Sequence, residues 1–509
     1  MCCVVLAFVG CSCENRGVAY SYKSPDRDQL ILLPPSVKDW LPEDHLVWVV
    51  LELVSAMDLS AFHARHPNDG VGRRAYDPEM MLALLLYGYC TGLRSSRKIS
   101  QACRTDLAFK VICVDVVPEH DAVGRFRANH QAAIIDLFTE VLGVCDKAGL
   151  VSLGTIAIDG TKMAADAALE ANRAEDTIRA QIEAILAEAG SADDSDSDDG
   201  HWSGPGSRLP RLRAALAEIE AERAARAEAE AEADARLAEA VRAGRRPRGR
   251  PPTDPARAVA VAAADVAVCE ARAAAAKGPL AGVEALSVLG RARARFAAAE
   301  AAAVGAPRTE LVAQANTTDP NSRIMKTQRR WVQGYNAQAA VTENQVIVAA
   351  VLSQDHNDVG LFDPLLVEVG RALTAAGIDP HIGTVLADAG YWSEPNATSN
   401  GPDRLIATSK DYKARRKARE LGVCEGPPPP DASVFEAMEH RLRTPDGAAL
   451  YAQRSGMIEP VFGNIKANRG ISRFLRRGLD AVRSEWSLIC TTHNINKLAV
   501  AVTTHTIPA

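Results

Sequence analysis

Two short runs of β-branched and small apolar residues, Gly154-Thr155-Ile156-Ala157-Ile158-Asp159 and Gly383-Thr384-Val385-Leu386-Ala387-Asp388, each close on an aspartate. Their length, composition and glycine boundary are those of buried strands. In an open α/β sheet, ligands collect beyond the carboxyl ends of the strands. Two strands with an acid at that end therefore restrict the fold to one in which the carboxylates can converge. Either aspartate alone says little, since Asp-Gly after a strand is also an ordinary turn. A third acid, Glu459, sits on a segment with helical character, Tyr451 to Asn468, and closes the set from one side.

Three converging carboxylates repel one another unless a cation intervenes. Hard oxygen ligands with open positions suit Mg²⁺ or Mn²⁺. Two such ions clamp the attacking and leaving oxygens of a phosphodiester in line. Asp159, Asp388 and Glu459 are therefore the candidate catalytic residues and the candidate ligands of two ions.

Around these residues the chain divides into four regions. Residues 1–25 hold an apolar run, Val4 to Val9, too short to span a membrane and without the preceding Lys or Arg of an export signal. They are expected to be unstructured or a non-native start. Residues 26–150 are expected to form an all-helical N-terminal domain. Asp77-Pro78-Glu79 pairs an N-cap with proline at the first helical position, and the apolar helix Met80 to Tyr89 follows. Arg94, Arg97, Lys98, Arg104, Arg125 and Arg127 on short helices suggest a helix-turn-helix reader of DNA; a plain helical scaffold or dimerisation domain is the alternative.

Residues 151–166 and 316–500 alternate between strands and helices, as a mixed sheet with helices on its faces requires. Tyr335 to Thr342 and Gln345 to Ser353 are expected to form a hairpin turning at Glu343-Asn344. Residues 167–315 are expected to be a helical insertion with mobile loops. Ile178, Ile182 and Ile185 share one helical face, and Leu209, Leu212, Leu216 and Ile219 follow a near-coiled-coil spacing. An acidic Ser/Asp/Gly stretch near 190–206 and a basic run from Arg245 to Pro252 interrupt them.

The formal net charge of −6 argues against nucleic acid only as a whole-chain sum, because local fields decide binding. Lys466, Arg469, Arg473, Arg476, Arg477 and Arg483 form a basic C-terminal stretch with little acid nearby. The 11 cysteines show no paired CxxC or Cys/His zinc spacing, so free thiols in a reducing cytoplasm are expected. No segment is apolar enough to span a bilayer, and a cytoplasmic, nucleoid-associated protein is expected.

Several short strings, in order, carry a resemblance to a known family. They are Tyr76-Asp77-Pro78-Glu79-Met80-Met81, Gly92-Leu93-Arg94-Ser95-Ser96-Arg97, Ile158-Asp159-Gly160-Thr161-Lys162, Gly334-Tyr335-Asn336-Ala337-Gln338, Ala387-Asp388-Ala389-Gly390-Tyr391 and Glu459-Pro460-Val461-Phe462-Gly463-Asn464-Ile465-Lys466. The chain resembles the bacterial DDE-type insertion-sequence transposases from about residue 27 to about 500. That resemblance implies a ribonuclease-H-like catalytic domain and a metal triad of Asp159, Asp388 and Glu459. It implies metal-dependent cleavage of the element's terminal repeats and strand transfer into target DNA, by a homodimer or higher oligomer. It also implies that Tyr451, Arg454 and Lys466 form the family's signature around Glu459. Four residues separate Arg454 from Glu459 where related groups have three. Lys162, Tyr451, Arg454, Lys466, Arg469, Arg473, Arg476 and Arg477 are the candidate DNA contacts. A non-catalytic DNA-binding protein derived from a transposase, and a helical scaffold, are the competing readings.

Overall fold

A computed structural model describes residues 22–23, 36–64, 75–193, 208–247, 252, 254–304, 313–327, 330–409 and 424–504. The expectations for residues 1–21, for the acidic stretch from 194 to 206 and for most of the basic run after Pro247 lie outside these residues. The chain forms two compact units, Met1–Glu170 with Asn321–Ala509, and Ala171–Pro320.

The first unit begins with a two-residue parallel pairing of β1 (Tyr22–Lys23) and β2 (Ala75–Tyr76). Its helices are α1 (Leu46–Ser55), α2 (Ser60–His63), α3 (Pro78–Cys90), α4 (Ser96–Thr105), α5 (Leu107–Cys113), α6 (His120–Asn129) and α7 (Gln131–Lys147). The start of α3 follows its sequence: Asp77 accepts from the Glu79 amide at 2.9 Å, and Pro78 supplies the preset φ of the first turn. Every residue of α3 except Glu79 is buried, as its uniformly apolar sequence demands. Strand β3 (Thr155–Ala164) leads to the second unit.

The second unit opens on β4 (Asn172–Ala174) and closes on β5 (Gln314–Asn316), which pair antiparallel. Between them run α8 (Glu175–Asp193), α9 (Arg208–Arg242), α10 (Pro255–Ala275) and α11 (Pro279–Ala303). Ile178, Leu212, Ala215, Ile219 and Ala315 form one small core, with Ile182, Ile185 and Leu216 packed against it. Cys269, Leu289 and Ala292 form another between α10 and α11. A bidentate pair from Arg246 to Asp265, at 2.6 and 2.7 Å, fastens the start of this second hairpin.

The remaining strands of the first unit are β6 (Arg323–Lys326), β7 (Trp331–Thr342), β8 (Ile347–Ser353), β9 (Thr384–Ala387) and β10 (Asp403–Ile406). The sheet runs β10-β9-β3-β7, with β6 and β8 both on the free side of β7. The β3, β9 and β10 strands are mutually parallel, and β7 is antiparallel to β3, β6 and β8. Helices α12 (Phe362–Ala375), α13 (Glu394–Thr398), α14 (Val434–Arg443), α15 (Pro445–Gly463) and α16 (Leu479–Thr503) complete the unit, with a π-helical turn at Asn464–Asn468. The result is a mixed α/β fold with a helical N-terminal region.

Two expectations are corrected. The strand carrying Asp159 does not end there; it pairs with β7 as far as Ala164, and only the β9 ladder stops at Ile158. The N-terminal helices do not have a core of their own. Helix α16 packs on α3 and α7 and also on β8, so Ile99, Leu137, Ile156, Val348 and Ile489 belong to one continuous core. The hairpin turn lies at Glu343-Asn344 as expected, followed by Gln345 at φ 63°. The seven described cysteines are all free. Among the described residues no helix is long and apolar enough to cross a membrane.

Candidate active site

The β3–β9 register pairs Ile158 with Ala387, so Asp159 and Asp388 follow side by side on adjacent parallel strands. Each is oriented by a neighbouring amide: Gly160 N–H donates to Asp159 at 2.7 Å, and Gly390 N–H to Asp388 at 2.7 Å. Burial pushes the Asp159 carboxyl up to about 6, against the pull of Arg454 and with the help of the Asp388 charge. The Arg454 guanidinium lies 2.8 Å from Asp159 Oδ2. Tyr451, one turn earlier on α15, donates its hydroxyl to the Ala387 carbonyl at 3.3 Å and ties that helix to the end of β9.

Beside the aspartates lies a network that sequence reading did not foresee. Asp358 Oδ1 accepts from Lys162 Nζ at 3.1 Å, Asn336 Nδ2 at 2.7 Å and Gln338 Nε2 at 3.0 Å. With its N–H so engaged, the Gln338 amide turns its oxygen to the Tyr391 hydroxyl. Tyr391 is raised well above the ordinary phenol range by burial and by the charges of Asp159, Asp358 and Asp388. The β3–β7 register sets Gly160 opposite Gln338. A Cβ at Gly160 would collide with the Gln338 amide and sit 2.9 Å from Asp358, so glycine is required by close approach rather than by a turn.

The structure does not bring Glu459 to this cluster. Glu459 is exposed, makes no hydrogen bond or ion pair, and no group of three acidic, His or Cys side chains able to hold an ion forms among the described residues. The cause is helical phase. Arg454 faces Asp159, and a residue five positions later lies about 140° around the helix. Ile458, four positions later, is fully buried on the inward face instead. Pro460 adds to the local irregularity: it cannot donate to the Gly456 carbonyl, which accepts from Gln345 Nε2 at 2.9 Å.

Seven α-helical residues were expected to put Lys466 and Glu459 on one face. The helix instead widens, with the Arg469 amide donating five residues back to Asn464. Lys466 Nζ bonds Thr161 Oγ1 and, at 3.2 Å, the Lys162 carbonyl, so it lies against β3 beyond Asp159. Burial lowers its pKa, with Asp159 opposing.

The other candidate DNA contacts divide. Arg473 and Arg477 are exposed, Arg477 pairing with Asp166 at 2.8 Å. The segment Ser472–Phe474 hydrogen-bonds to Ala164 at the end of β3. Arg476 is half-buried. Arg469 is corrected: it is buried, and its guanidinium donates to the Tyr89 and Ile489 carbonyls and to Thr492, so it binds the fold together rather than facing a ligand. The helix-turn-helix arginines divide too. Arg94 is buried against Glu485 at 2.7 Å, and Arg127 donates to the Tyr89 hydroxyl and the Arg94 carbonyl. Arg97, Lys98, Arg104 and Arg125 are exposed. His493 Nε2 meets the Gln345 carbonyl at 3.0 Å, and Asn494 bonds both the amide and the carbonyl of Ile347, so both residues hold the fold together.

Paired aspartates thus stand at the end of a parallel ladder, with an arginine and a lysine beside them. Comparison with known families gives its class. Residues 35–129 match the Transposase domain (DUF772) family, and residues 430–499, which include Tyr451, Arg454, Glu459 and Lys466, match the Transposase DDE domain family. The chain thus carries a transposase domain and a Transposase DDE domain. Neither the curated proteins nor the solved structures give a match.

Proposed function

We propose that this transposase cuts the ends of an insertion sequence and joins them to target DNA, on a ribonuclease-H-like sheet. The observation that carries this reading is the placement of Asp159 and Asp388 on adjacent parallel strands in a chain with a DDE domain. Strands β6, β7, β8 and β3, joined antiparallel, followed by β9 and β10 parallel to β3, with the acids at the β3–β9 junction, support the fold.

The donor chemistry fits a divalent cation in part. Two carboxylates with hard oxygens lie together, and burial raises the pKa of Asp159. Asp159 and Asp388 would hold Mg²⁺ or Mn²⁺, two ions per site, and Glu459 is proposed as the third ligand. The ions would supply Lewis acidity and a nucleophilic oxygen near neutral pH. Lys466 and Lys162 would hold a backbone phosphate along β3, and Arg473 and Arg477 would extend that contact. Arg454 keeps Asp159 ionised and in place, and Tyr451 fixes the helix that carries Arg454. Paired element ends call for a homodimer or higher oligomer.

The second reading, a DNA-binding derivative without cleavage, draws on the exposed Glu459 outside the cluster. Labelled DNA with the element's own ends, incubated with Mg²⁺ or Mn²⁺, separates the two. Nicking by the wild type and not by Asp388→Ala, with end binding kept in both, is the expected result. Binding without nicking by the wild type leaves the second reading.

A further inference from the structure

Four guanidinium groups gather where α3 ends, α6 passes and the segment after the π-turn returns: Arg94, Arg127, Arg469 and Arg476. Around them the described residues provide one carboxylate, Glu485, and one phenol, Tyr89, whose pKa burial pushes up to about 12, so it stays neutral. Arg469 is satisfied by carbonyls and Thr492. Arg127 is satisfied in part by Tyr89 and the Arg94 carbonyl. Glu485 is fully engaged: Oε1 accepts from Arg94 at 2.7 Å, and Oε2 accepts from the Leu475 and Arg476 amides at 2.9 and 3.0 Å.

That engagement fixes the backbone of Arg476 but leaves its guanidinium without a partner. Among the described residues Arg476 makes no side-chain hydrogen bond, and its Nη1 is buried with no acceptor. A buried donor without an acceptor is destabilising, and the cluster carries three more positive charges than negative ones. Arrangements of this kind are relieved by an anion, and arginine forks match the geometry of phosphate oxygens.

We propose that Arg476, with Arg127 and Arg94 behind it, forms a binding site for one phosphate-group oxyanion. The N-terminal helices and the C-terminal segment build it jointly, so neither match alone contains it. Its position indicates the owner of the phosphate, and this step rests on the proposed DNA substrate. The segment pairs with β3 at Ala164, five residues past Asp159, or about 17 Å along the strand. At 3.4 Å per base pair that is about five base pairs from the aspartates. A duplex cut at Asp159 and Asp388 and lying along β3 would therefore present a backbone phosphate to the segment that carries Arg473 and, three residues on, Arg476.

Two measurements on the full chain test the site. Thermal unfolding is followed in inorganic phosphate and in chloride at equal ionic strength, for wild type, Arg476→Gln and Arg476→Lys. A higher Tm in phosphate for the wild type, lost in the Gln variant and partly kept in the Lys variant, supports the site without reference to DNA. Binding of duplex DNA against salt then identifies the source. A slope of log K on log salt that is shallower by about 0.9 in Arg476→Gln assigns the phosphate to the DNA backbone. An unchanged slope together with the phosphate-dependent Tm assigns it to free phosphate. Equal Tm in both salts for wild type and variants, with no change of slope, overturns the site. A wild type that binds no duplex but is stabilised by phosphate keeps the site and refutes the DNA reading.

Discussion

Arg454 Nη2 lies 2.8 Å from Asp159 Oδ2, yet the guanidinium has no well-directed hydrogen bond there and its Nε has no acceptor. The pair is an ion pair held at contact distance inside a mostly buried site. Arg454 therefore acts chiefly as a fixed charge on Asp159, with donors left over for a substrate oxygen. Replacing Arg454 by Met should abolish nicking of element-end DNA while the protein stays folded by circular dichroism. Full activity in that variant would remove Arg454 from the site.

Glu459 gives the sharpest test of the triad. Glu459→Gln changes one exposed side chain and should leave stability within about 0.5 kcal/mol. If Glu459 is the third ligand, nicking should disappear with DNA binding retained. Nicking at the wild-type rate would show that the two aspartates work without it.

Gly160→Ala should be more disruptive than its size suggests. The added methyl meets the Gln338 amide and Asp358 at once. Both are pinned in a shared network, so neither can move freely. A loss of about 1–3 kcal/mol in urea unfolding is expected, together with reduced cleavage.

Arg94 and Glu485 form a pair with almost no solvent access. Arg94→Ala leaves the carboxylate hydrogen-bonded only to two amides, with the Arg127 and Arg476 charges nearby but not bonded to it. Destabilisation of about 3–5 kcal/mol is expected, read as a lower denaturant midpoint at unchanged m-value. A change below about 1 kcal/mol would mean that water reaches Glu485.

His493 should make the fold sensitive to mild acid. Burial lowers its pKa to about 4 from 6.5. Between those values the unfolded chain binds the proton and the folded chain does not, so stability rises with pH. The contribution is fully present above about pH 6.5 and is lost as pH falls toward 4, by about 3 kcal/mol in all. His493→Gln can keep the bond to Gln345 without titrating. The difference in stability between variant and wild type should therefore shift over that pH window; a constant difference would count against the buried neutral imidazole.

The sequence announced this fold where local chemistry decides it. The Asp77-Pro78 cap, the β-branched runs before Asp159 and Asp388 and the Glu343-Asn344 turn depend on neighbours in the chain, and each stands where expected. Long-range packing was not legible. Arg94 and Arg469 look like surface arginines in sequence, but Glu485 and the Tyr89 carbonyl, hundreds of residues away, draw them inside. Asp358 gave no strand-end or motif signal, because its partners come from β3 and β7. Helix phase was equally hidden: the fourth residue inserted between Arg454 and Glu459 was visible, but that Ile458 would take the inward position was not.

The short β4–β5 ladder has its own consequence. It joins Asn172 to Asn316, and Thr317 reaches back to the Ala171 carbonyl at 3.0 and 3.1 Å. The chain thus departs and returns through two neighbouring strands, about 4.8 Å apart. Whatever lies beyond them is topologically a side branch. A foreign domain whose termini lie close together can be grafted between Ala174 and Gln314 without lengthening the path from β3 to β6, making this doorway the natural port for a reporter.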